Sequence, residues 1–169
     1  MDIFAPYSVW LYHVGNVTWL GYFLAYYLAD RGWYPDRSFK IAALTLVLAN
    51  FVMQGMEPVL MALSAEHGEL IRHTWYPAFA AINCWSAHYI VSKHRQRRIP
   101  MSPYALSMVF SLFVLTLVQA VRYFDRLVLD TNSLDLMYKL LINTVNIGIM
   151  LVLLAPVLKS KFGQRRPVN

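Results

Sequence analysis

The chain has 169 residues, 58% of them hydrophobic and only 14% charged, with a net charge of +6. A soluble domain carries about a quarter charged residues, so this composition excludes an ordinary water-soluble globule and fits a chain whose solvent is mostly lipid. The basic residues stand at the ends of hydrophobic runs, where they anchor against anionic headgroups, so no nucleic-acid partner is expected.

A membrane span needs about 20 mainly apolar residues to cross ~30 Å of hydrocarbon. Five segments meet this. The first, residues 7–29, is aromatic-rich and contains His13 and Asn16. It follows Asp2, with no Lys or Arg before Arg31, which is unlike a cleavable signal peptide and favours a retained span. A re-entrant or surface helix is the alternative there, because Gly15, Asn16 and several tyrosines weaken the run. The second, residues 39–63, places Asn50, Gln54 and Glu57 at i, i+4 and i+7 on one helical face. The third, residues 74–92, starts beside His73 and contains Asn83, His88 and Cys84. Cys84 is the one cysteine, so neither an intrachain disulfide nor a CxxC motif exists. The fourth, residues 101–123, carries Ser107, Ser111, Gln119 and Arg122, and the fifth, residues 136–158, carries Lys139, Asn143 and Asn146. Pro58 and Pro77 lie within spans and are expected to kink them. No alternating strand pattern occurs, and an open sheet edge cannot face lipid. The predicted fold is therefore all-α, an integral membrane bundle of five transmembrane helices in a single domain covering residues 1–169.

Charge sets the orientation. Eleven of the fifteen Lys and Arg residues fall in three polar stretches: Arg31, Arg37 and Lys40; Lys93, Arg95, Arg97 and Arg98; Lys159, Lys161, Arg165 and Arg166. The positive-inside bias places all three in the cytoplasm and predicts an N-out, C-in protein of a plasma or bacterial inner membrane. The segments 64–73 and 124–135 then form the outer loops, and 93–100 an inner one. Trp and Tyr residues near the span ends make an aromatic belt and need no functional explanation.

Polar residues inside spans are costly unless paired or wetted, so they carry the functional signal. The predicted orientation brings Glu57, Arg122, Lys139, His13 and His73 to one level in the outer half, with Glu57 expected to pair with Arg122 or Lys139. The candidate polar or pore-lining set is Asn50, Gln54, Glu57, Gln119, Arg122, Lys139, Asn143 and Asn146. Helix–helix hydrogen bonding, at ~0.6 kcal/mol each, explains part of it; the number of ionisable groups favours a polar cavity open to the outer side. His13 and His73 are weak candidates for a metal site with Glu57 and His67, although interface solvation explains His67 and His73 more simply. His73 and His88 stand roughly 22 Å apart along one helix and cannot share a metal. No cofactor is favoured. Zincin, nucleophile-elbow and phosphate-loop motifs are absent, so an enzyme is the less favoured reading.

The expected function is an oligomeric channel or transport component with its polar site in the outer half of the bilayer. The face of Asn50, Gln54 and Glu57 would suit cations, and Arg122 with Lys139 would suit anions. The alternative is a non-catalytic anchor or assembly subunit of a larger membrane complex, followed by a quinone- or haem-binding redox subunit. The expected partners are the lipid bilayer and either further copies of the chain or other membrane subunits.

Overall fold

The computed structural model describes the backbone of residues 5–163 and the side chains of residues 17–162. It is all-helical, with no strand among the described residues. Five long helices follow one another: α1 (Ala5–Leu28), α2 (Arg37–Ser64), α3 (Gly68–Arg97), α4 (Pro103–Tyr123) and α5 (Asp135–Gly163). A five-residue π-helical turn extends α1 (Ala29–Trp33), and another extends α4 (Phe124–Val128). Three of these segments are long and apolar enough to cross a membrane: Arg37–Ser64, Pro103–Val128 and Asp135–Phe162.

Local chemistry sets the ends. Gly32 adopts φ 86°, a left-handed conformation open to glycine, and the chain turns there out of α1. Asp36 caps α2 by accepting from the Ser38 amide at 2.9 Å. Ser102 caps α4 by accepting from the Ala105 amide at 3.3 Å, with Pro103 in the first helical turn, where its missing N–H costs nothing. Both α2 and α3 continue through their prolines, Pro58 and Pro77. Helix α3 is longer than the apolar run that predicts it. It begins at Gly68 and runs to Arg97, so most of the expected outer loop 64–73 and of the basic loop 93–100 is helical.

Neighbours in the chain are neighbours in space, and α1 closes the ring against α5, with α2 and α4 touching across it. Small buried residues, Ala25, Ala29, Ala42, Ala43, Ala49 and Ala105, let the helices approach closely. At the α1–α5 contact, a Cβ added to Gly21 would lie 2.5 Å from the Met150 Sδ. One residue on, the Tyr22 hydroxyl donates to the Asn146 carbonyl at 2.9 Å. Larger side chains fill the core: Phe39, Leu46, Ile90, Met108, Leu112, Leu153 and Val157. Edge-to-face contacts of Tyr34, Phe39 and Tyr104 seal one end, with ring centroids 5.0–6.3 Å apart.

That end collects the basic segments. A hydrogen bond joins Ser38 at the start of α2 to His94 near the end of α3, and another joins Ser38 to Ser102 before α4. The Lys161 ammonium near the end of α5 sits 4.9 Å from the Trp33 ring centre. The described members of all three basic stretches therefore stand at one end of the bundle. The opposite end carries Glu66, Glu69, Asp125, Asp130 and Asp135.

Candidate functional site

Among the described residues, a network of ionisable side chains lies at the acidic end, where α4 passes into α5. Arg122 occupies the last turn of α4 and is 3% exposed. Its guanidinium donates to Asp125 Oδ2, to Asn132 Oδ1 and, at 2.8 Å, to Asp135 Oδ1. The other Asp135 oxygen pairs with Lys139 at 2.7 Å, one turn along α5. Asp125 is as deeply buried as Arg122. It also accepts from the Thr131 hydroxyl and from the Leu134 amide at 3.4 Å. Two cations and two carboxylates thus neutralise one another, and loop residues 125–134 are drawn over the helix ends.

An aromatic layer lies beneath this network. The Tyr138 ring sits 5.7 Å from the Arg122 guanidinium carbon, and its hydroxyl donates to Gln119 Oε1 at 3.0 Å. Tyr76 of α3 meets Tyr138 edge-on at 5.9 Å. Gln119, Arg122 and Lys139 are thereby brought together. Asp125, Asn132 and Asp135, which complete the network, fall in the segment 124–135 that the sequence predicts as an outer loop. The available signal is the pair of acids, Asp125 and Asp135, that follows Arg122 at the end of an apolar run.

The other predicted residues lie elsewhere. Glu57 makes no ion pair or hydrogen bond among the described residues, so the expected pairing with Arg122 or Lys139 does not form. The nearer partners win because Asp125 is one helical turn from Arg122 and Asp135 is one turn from Lys139, whereas Glu57 stands on α2. Glu57 and Gln54 are half-buried, and Asn50 donates to the Leu46 carbonyl of its own helix at 3.0 Å. Asn143 donates to the Lys139 carbonyl at 2.9 Å, while its own Oδ1 is buried without a partner. Asn146, two turns along α5 from Lys139, receives the Tyr22 hydroxyl of α1. His73 is exposed, with its ring 6.4 Å from that of Tyr123, and the His13 side chain lies outside the described residues. No group of three or more His, Cys, Asp or Glu suited to a metal occurs among the described residues.

A second polar constellation lies at the basic end, and sequence reading missed it because His94 sits inside a run of cations. His94 Nδ1 lies 2.7 Å from the Ile90 carbonyl, which can only accept, so Nδ1 carries the proton. Nε2 then accepts from the Ser38 hydroxyl at 2.8 Å, and Ser38 Oγ accepts from the Ser102 amide at 2.8 Å. A serine bonded to a histidine is the beginning of a nucleophilic pair. Here, Ser38 and His94 are 2% and 3% exposed, and no acid orients the imidazole. The pair cannot meet a substrate; it joins the starts of α2 and α4 to the end of α3.

Comparison of the chain with models of protein families, with curated proteins and with solved structures finds no match to any of them.

Proposed function

We propose that the chain is a five-span membrane protein, N-out and C-in, that acts in an oligomer as a cation channel or transport component, with the path along the α2 face of Asn50, Gln54 and Glu57. The segregation of basic segments to one end supports the orientation, because cytoplasmic loops retain Lys and Arg. Helices α1 and α3 have 24 and 30 residues, enough for roughly 36 and 45 Å, so length permits both to span. Their polar and aromatic residues suit helices facing neighbours more than bare lipid.

The observation that carries the functional reading is Glu57. It is a half-buried carboxylate without an ion pair or hydrogen bond among the described residues, roughly 10 Å inside the acidic end of α2. Arg122 and Lys139 are neutralised by Asp125 and Asp135, so the anion-selective alternative loses its cations. An unpaired carboxylate at membrane depth must reach water, a proton or a cation. A hydrated path between copies of α2 supplies them, and Gln54 and Asn50 continue that face toward the basic end. The test is cation flux in liposomes. Glu57→Gln is expected to reduce flux at least tenfold, while Glu69→Gln, an exposed carboxylate of the same end, leaves it unchanged; equal flux in Glu57→Gln and the native chain refutes the path.

The subunit reading is favoured by a different observation. Phe51, Val52 and Val59 are all more than half exposed beside the polar face of α2. This mixed surface suits a partner helix bearing a cation opposite Glu57. Native mass spectrometry separates the two: a stoichiometric second protein supports the subunit, and a homo-oligomer supports the path.

A further inference from the structure

Beside the ionic network, an open cleft of about 260 Å³ indents the acidic end. Met61 of α2, Ile71, Arg72, Trp75 and Tyr76 of α3, and Arg126 of the turn after α4 form its walls. We propose that this cleft binds the phosphate of an anionic amphiphile, with Arg72 and Arg126 holding the phosphate and the Trp75, Ile71 and Met61 side receiving the apolar part.

The two arginines converge from separate elements. Among the described residues neither makes an ion pair or a hydrogen bond, in contrast to Arg122 one turn away. No carboxylate lines the cleft; Glu66 and Glu69, on the adjoining turn and first turn of α3, are exposed and stand outside it. Two guanidinium groups around one hollow repel each other unless an anion lies between them. Their planar donor forks match phosphate oxygens two at a time. The remaining wall specifies the rest of the ligand. Trp75 and Tyr76 are half-buried, and such rings sit at headgroup depth with one wet edge. Inorganic phosphate would leave the Met61–Ile71–Trp75 surface uncovered, and a wholly apolar ligand would desolvate two arginines without neutralising them. A phosphate ester with an acyl chain satisfies both halves. This inference requires the acidic end to lie at a bilayer surface, but not the cation path along α2.

The test uses the full chain reconstituted in bilayer discs of phosphatidylglycerol and phosphatidylcholine, transferred to detergent, with retained lipid identified by native mass spectrometry. The native protein is expected to keep phosphatidylglycerol in preference to phosphatidylcholine. Arg72→Gln/Arg126→Gln is expected to bind it about 30-fold more weakly, the effect of two arginines at a membrane surface. Arg95→Gln/Arg97→Gln removes the same charge from the basic end and is expected to retain the lipid. An unchanged melting temperature in both variants, expected because neither cleft arginine has a protein partner, shows that the fold is intact. Equal retention in the native and cleft variants overturns the site. Inorganic phosphate binding to lipid-stripped protein, lost in the cleft variant while phosphatidylglycerol shows no preference, overturns the amphiphile and assigns the hollow to free phosphate. A native protein that carries phosphatidylcholine and phosphatidylglycerol equally also refutes the proposal. Loss of flux in Glu57→Gln is independent of every arm.

Discussion

The two ends of the bundle solve one problem with opposite chemistry. At the acidic end a buried arginine is held by carboxylates, and α4 is tied to α5 through charge. At the basic end a buried histidine is held by a serine and a carbonyl, and three helix ends are tied without an ion pair. The composition of each end explains the difference. The basic end has nine described cations and, near them, two acids, Asp30 and Asp36, of which Asp36 caps α2 and Asp30 pairs weakly with Lys40 at 3.5 Å. A buried cation there would find no free counter-ion. The acidic end has carboxylates to spare, so a buried cation can be neutralised within one turn. The segregation of acids and bases between the two ends thus also limits which polar groups can be buried at each end.

The largest expected effect removes one member of the ionic network. Arg122→Met leaves Asp125 buried without its cation and is expected to cost about 3–5 kcal/mol, read from denaturant unfolding in detergent. Arg122→Met/Asp125→Leu removes both charges and is expected to be more stable than the single variant, because a buried pair replaced by apolar groups costs little. A double variant as unstable as the single one would show that Asp125 is held by Thr131 and Leu134 alone. At the other end, Ser38→Ala leaves His94 Nε2 and the Ser102 amide without partners and is expected to cost about 1–3 kcal/mol. Raising salt should weaken the acidic end through the half-exposed Asp135–Lys139 pair, and at the basic end should instead relieve repulsion among Lys93, Arg95, Arg97 and Arg98. Equal salt sensitivity of hydrogen exchange at the two ends would remove the distinction.

Helical positions were legible in the sequence because a 20-residue apolar run has few other uses. The predicted 39–63, 101–123 and 136–158 lie within α2, across the start of α4 to its end, and within α5. The ends of α3 were not legible. Polar residues such as His73, Arg95 and Arg97 end an apolar run without ending a helix, and only the conformation of Arg98 stops it. At the site, the helical stripes of Gln119 with Arg122 and of Lys139 with Asn143 were visible from spacing. Their partners were not: equal depth along the helices points to Glu57, whereas Asp125 and Asp135 reach the cations first through the local chain. Ser38 and His94 are 56 residues apart, and no periodicity connects them.

The smallest expected effect tests whether the basic end tolerates strain for the sake of charge. Arg98 follows α3 with φ 52° and ψ 37°, the left-handed conformation. Its amide donates to the Arg95 carbonyl at 3.2 Å, and the Ile99 amide donates to the His94 carbonyl at 3.0 Å. This paired closure normally places glycine where Arg98 stands, because a Cβ there costs about 1 kcal/mol. The position is therefore strained in backbone yet occupied by one of the residues that mark the basic end. Arg98→Gly is expected to stabilise the protein by about 1 kcal/mol, and Arg98→Ala, which removes the charge but keeps the Cβ, to leave stability unchanged. If both variants are equally stabilised, repulsion among Lys93, Arg95, Arg97 and Arg98 is the cost at this site. If only glycine stabilises, the cost is conformational. In that case the left-handed conformation, and not the crowding of cations, sets the cost of closing α3 at the basic end.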